Sequence, residues 1–183
     1  SATPVLEIVN SMTIEGDDQG IILGKTGGGT KGIIRGESNS DVLTWAKASG
    51  ATNGPIIGGE VDVEVNLVNN ARVIAGNAVH TLALKTNPKS GNGLWEVRTG
   101  VLLVEVEVTG TGEWLLDSVN PGTIRFTADC TNLGGDFTVK AGTLDIRADL
   151  CTSGDLDWTG GNIQVDDASS LNSASFGGTC STP

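Results

Sequence analysis

Aromatic side chains are scarce in this chain, at 4% of 183 residues, and Tyr is absent. Few flat platforms are therefore on hand for stacking sugars or bases. Basic residues are also few: 11 Lys and Arg stand against 22 Asp and Glu, a formal charge of −11. A surface that neutralises nucleic-acid phosphates, or docks on an anionic membrane, needs the opposite balance. There is a single histidine, His80, which excludes a His-rich metal centre and any mechanism needing two imidazoles. Apolar runs are short, the longest resembling Val101-Leu102-Leu103-Val104, far below the ~18 residues of a spanning helix. The three cysteines, Cys130, Cys151 and Cys180, all lie in the last third. In an oxidising compartment an odd number leaves one thiol over, and in the cytosol none needs a partner.

Glycine is abundant, with 27 residues, and the mean hydropathy is +0.01. Clean alternation at Val61, Val63, Val65 and Leu67, with Asp62, Glu64 and Asn66 between, marks a strand with one dry and one wet face. Helical periodicity is weak throughout, and the best helix candidate is the short stretch Asp41 to Lys47. The strongest signal is an internal repeat, Gly-x-φ-x-φ-x-x-Gly-x-φ-x-φ with φ apolar. It begins at Gly93, Gly112, Gly135 and Gly154, and the Gly112 copy carries a three-residue insertion around Asn120-Pro121. Without that insertion the period is near 20 residues.

Two all-β architectures produce such a repeat: a short β-solenoid of about 20 residues per coil, or an antiparallel β-sandwich or jelly roll. The late glycines of the turns at Gly100, Gly142 and Gly161 suit a solenoid corner better than a hairpin. Coil-on-coil stacking also places Arg125 beside Asp145 and Arg147 beside Asp166, favourable neighbours on adjacent strands. It gathers Trp95, Trp114, Phe137 and Leu156 into one inward column, and the expected structural core includes Trp158. The solenoid is the expected fold. Residues 1–57 do not show the repeat and read as an N-terminal attachment segment, with 58–183 as the β-repeat domain. Residues 1–99 carry a net −2 and residues 100–183 a net −9. An almost neutral base and an acidic far end fit attachment by one end.

The stretch from Gly135 to Leu171, with its Gly-Gly-x-φ-x-φ units and its turn Asp167-Ala168-Ser169-Ser170, resembles coils of the β-solenoids in phage fibres and autotransporter passengers. The segment Ile33-Ile34-Arg35-Gly36-Glu37-Ser38-Asn39-Ser40 is similar to phage fibre and surface proteins. The resemblance implies a non-enzymatic structural protein on the exterior of a viral particle, a capsid decoration protein or short fibre. Its partners would be other virion proteins, such as the major capsid protein, in a homo-oligomer with a trimer favoured. The alternatives are a cell-surface adhesin or extracellular filament subunit and, ranked last, a polysaccharide-processing β-helix enzyme. No catalytic or binding residue carries over from the resemblance.

Candidate chemistry is sparse. Asp129 and Asp149 hold equivalent places after Gly122 and Gly142, so stacking brings them close. They are the weak Ca²⁺ candidates and a pair to weigh for glycoside hydrolysis, against a solvated turn. Asp17-Asp18 and Asp166-Asp167 are further acidic pairs. Cys130 and Cys151 also align, eight and nine residues after their glycines, within reach of a disulfide or equally as buried thiols. Gly24-Lys25-Thr26 has too short a glycine spacing for a phosphate loop. His80 reads as a half-buried, hydrogen-bonded strand residue. No cofactor, nucleic acid or membrane is expected.

Overall fold

In the computed structural model, which describes residues 3–17, 20–22, 30–117 and 121–172, the alternating apolar positions form parallel strands that wind into a β-solenoid. The spacing is about 22 residues per turn, slightly above the repeat's own period. The chain enters through β1 (Val5–Ile8) and β2 (Met12–Gly16). Then follow β3 (Gly20–Ile22), β4 (Gly32–Gly36) and β5 (Val42–Lys47), and β6 (Ile56–Gly58), β7 (Val61–Val63) and β8 (Asn66–Asn70). Two long strands bend round a corner, β9 (Arg72–Leu84) and β11 (Leu94–Val104), with β10 (Lys89–Ser90) between them. The last turns are β12 (Trp114–Leu116), β13 (Thr123–Phe126) and β14 (Cys130–Leu133), then β15 (Phe137–Val139), β16 (Thr143–Ile146) and β17 (Leu150–Thr152). The chain closes with β18 (Leu156–Trp158), β19 (Asn162–Val165) and β20 (Leu171–Asn172).

Three faces result. The first stacks β3, β6, the start of β9, the start of β11, β12, β15 and β18. The second stacks β1, β4, β7, the ends of β9 and β11, β13, β16 and β19. Because β9 and β11 run round the corner, these two faces join as one 13-stranded sheet. The third face is a sheet of β10, β8, β5 and β2 and a sheet of β14, β17 and β20, with an isolated bridge from Lys89 to Val108 beside the first. All of these pairings are parallel, which excludes the sandwich and jelly roll.

Stacking in register puts each inward residue on its equivalent one coil away, so columns of like side chains fill the interior. Ile57, Val73, Trp95, Trp114, Phe137 and Leu156 are successive register partners. Trp95 and Trp114 stack at 5.3 Å between ring centroids, and Trp114 and Phe137 at 5.5 Å. The rings are buried. Phe126 closes against Trp114 from the second face at 5.1 Å. The repeat glycines sit where coils touch: a Cβ at Gly135 would overlap the Gly112 carbonyl oxygen, and Gly142 has φ 79°. Only glycine accepts both demands.

Three expectations change. Trp158 is in register with buried Val139 yet is 55% exposed, because β18 belongs to the last described turn and no other described coil covers it. Asp41 to Lys47 is not helical; β5 runs Val42–Lys47 and buries Leu43 and Trp45 by strict alternation. The strands of residues 1–57 pair in register with those that follow, β4 with β7, β5 with β8 and β6 with β9, so the first segment continues the same solenoid. The insertion around Asn120-Pro121 goes untested, because residues 118–120 lie outside the described residues.

Candidate functional site

The outer face of the second sheet carries the expected charge ladder in altered form. Arg125 is the register partner of Asp145, and its Nε lies 2.6 Å from Oδ2. Arg147, just past the end of β16, turns back to Asp145 at 3.1 Å instead of pairing with Asp166. The Asp145 side chain is buried. Burial alone would raise its pKa, but hydrogen bonds from Arg147 and Arg125 outweigh that and hold it below the usual carboxylate range.

Stacking does bring Asp129 and Asp149 together, in the service of the turns. Asp129 Oδ1 accepts the Asp149 backbone N–H at 2.9 Å, and Asp149 Oδ1 accepts the Ser170 hydroxyl at 2.8 Å. Each carboxylate thus caps the next coil. Among the described residues no group of three or more His, Cys, Asp or Glu is poised for a metal ion.

Cys130 and Cys151 do not pair with each other. Cys130 is a free buried thiol, whereas Cys151 is disulfide-bonded. The reason is one residue of register: Cys130 lies opposite Leu150, so with period-two alternation Cys151 faces the other way. Burial pushes the Cys130 thiol up to about 12, which keeps it protonated and unreactive. His80 is more buried than expected, with Nδ1 2.9 Å from Glu60 Oε2. Gly24-Lys25-Thr26, Asp18 and Cys180 lie outside the described residues.

Two features had no sequence signal. The first is Lys89, buried in the third-face column between its register partners Leu67 and Val108. Its Nζ curls back to donate to the carbonyls of Lys85, at 2.9 Å, and Asn87. Burial, only partly offset by Glu64, lowers its pKa from 10.5 to about 7.

The second is a groove of about 310 Å³ at the corner between the third and first faces. Elsewhere this corner is tight, as from Asn70 to Arg72, but after β5 the loop 48–55 intervenes and forms a wall. Two side chains pin it. Trp45 Nε1 donates to Pro55 O at 2.9 Å from inside, and Arg72 donates Nε and Nη2 to Gly54 O at 2.9 and 2.7 Å. Below the wall, Asn70 Oδ1 accepts the Asn92 N–H at 3.3 Å, and Asn92 Oδ1 accepts the N–H and hydroxyl of Thr111 at 3.2 and 2.8 Å. Lys47 and Glu113 complete the polar lining.

The two ends of the solenoid differ from its sides. Among the described residues β1 pairs only with β4 and β2 only with β5, so one backbone edge of each has no described strand beside it. Val5, Val9 and Met12 are exposed there, and Trp158 and Val165 at the far end. The far end also carries Asp155, Asp157, Asp166 and Asp167.

Together the register and the columns define the class: a short parallel β-solenoid with three strands per coil. No protein-family model, no curated protein and no solved structure matches the chain.

Proposed function

We propose that this protein is a non-enzymatic structural component on the exterior of a viral particle, a capsid decoration protein or short fibre, held through its N-terminal end. The observation that carries the reading is the β1 and β2 edge, unpaired among the described residues, with Val5, Val9 and Met12 exposed beside it. An unpaired edge flanked by apolar side chains is a template for a partner strand. The partner is another virion protein such as the major capsid protein, and the assembled form is a homo-oligomer, with a trimer expected. The net −9 of residues 100–183 faces outward and keeps neighbouring particles apart.

A second reading, a cell-surface adhesin or extracellular filament subunit, is favoured by the disulfide at Cys151, since such bonds persist in oxidising compartments. Fractionation separates the two. On the first reading the chain co-sediments with purified particles, and Val5→Glu with Met12→Glu strips it from them while the circular dichroism of the free protein is unchanged. Recovery in the cell envelope, or full particle occupancy by the doubly substituted protein, overturns it.

A further inference from the structure

We infer that the groove under the 48–55 loop is a binding site for an acidic saccharide, one bearing carboxylates on its sugar rings. This does not depend on what the N-terminal edge attaches to.

The argument begins with what the walls offer. The oxygen ends of Asn70 and Asn92 are both taken by the following coil. Their amide planes are thereby fixed, and each Nδ2 is left with two hydrogens and no partner among the described residues. The two amides belong to consecutive coils, so the donors repeat at the strand spacing of ~4.8 Å. Lys47 adds an exposed ammonium at one end, and Arg72 contributes positive charge to the wall it clamps. Glu113 is the one carboxylate in the lining. Donors exceed acceptors, so the complementary ligand is rich in acceptors and negatively charged.

Its class follows from what the groove lacks. The lining includes no aromatic ring, and its only apolar side chains are Ala71 and Leu94. A neutral sugar that depends on stacking has nothing to stack on. A peptide has neither pockets for alternate side chains nor an open strand edge, since β8 and β9 are paired on both sides. An extended, hydroxyl-dense chain with carboxylates finds the Lys47 ammonium at one end and amide donors on two consecutive coils, Asn70 and Asn92. The wall is already pinned by Trp45 and Arg72, so little ordering cost falls on binding.

The test is a titration of the full-length protein followed by amide chemical shifts, with trigalacturonate as the probe. Saturable shifts are expected around residues 47–54, 70–72 and 92–94 at concentrations to about 10 mM. Maltotriose is expected to bind about tenfold more weakly, as are the variants Lys47→Glu and Asn92→Asp, because each loses a charge-assisted contact. Asn92→Asp keeps the Oδ1 that accepts from Thr111, so the coil contact survives and spectral dispersion reports an intact fold. Absence of saturable shifts, shifts centred elsewhere, or wild-type binding by both variants overturns the assignment. Maltotriose binding as tightly as trigalacturonate removes the acidic requirement and overturns it too. A hexaglutamate peptide binding more tightly than trigalacturonate identifies the groove as a peptide site and overturns the saccharide class.

Discussion

Lys89 stands where the third-face column otherwise has Leu43, Leu67 and Val108, and replacing it by Met tests how the solenoid tolerates a buried amine. The fall of its pKa from 10.5 to about 7 corresponds to ~5 kcal/mol at about 1.4 kcal/mol per pH unit. The direction follows from proton counts. Below pH 7 the amine is protonated whether the chain is folded or unfolded, and the full cost of the buried charge is present. Between about pH 7 and 10.5 the folded protein has shed the proton and the unfolded chain still holds it, so stability rises with pH. Above that range both are neutral and the contribution is flat. The carbonyls of Lys85 and Asn87 set the other side of the balance, since Lys89→Met leaves them without their donor at a cost of ~1–3 kcal/mol. Denaturant unfolding of both proteins across this range isolates the effect, because every other titrating group is common to the two. The wild type is expected to gain on Lys89→Met by several kcal/mol, with ~5 kcal/mol as the ceiling. A difference that stays constant within about 0.5 kcal/mol refutes the reasoning, and means that the amine remains charged and well solvated by its carbonyls.

Two further outcomes follow from the stacking. Trp114→Ala removes a ring held between Trp95 and Phe137 and is expected to cost ~3–5 kcal/mol. Trp158→Ala, at an exposed ring, should stay within about 0.5 kcal/mol; equal shifts in the unfolding midpoint would contradict the column. Gly135→Ala drives a methyl into the Gly112 carbonyl, and amide exchange should show the coils on either side of it opening together. An unaltered exchange profile would mean that the coils are not in contact there.

How much of this was legible beforehand depended on periodicity. The glycines and apolar residues from Gly93 onward repeat at nearly constant spacing, and that spacing alone aligned Trp95, Trp114, Phe137 and Leu156 as they stack. It also aligned Arg125 with Asp145 and Asp129 with Asp149, because parallel coils translate sequence equivalence directly into adjacency. The first 57 residues hid the same architecture because the long link between β3 and β4 and the 48–55 loop break the period without breaking the ladder.

The chain's own pattern thus determined the strand type, the inward columns and the Arg125–Asp145 pair on the outer face, all consequences of alternation along a strand and translation between coils. Tertiary structure alone decided what depends on ends, corners and single-residue register. Trp158 is an inward residue by phase, but exposure depends on whether another coil follows. The Cys130 and Cys151 pairing failed because an offset of one residue, slight in sequence, turns side chains to opposite faces of a sheet. Lys89 is charged by composition and buried by position, since its long stem reaches the corner carbonyls only after the chain has folded back. The groove needed Lys47, Arg72, Asn92 and Glu113, far apart in sequence, to meet beneath a loop whose place is set by hydrogen bonds from Trp45 and Arg72.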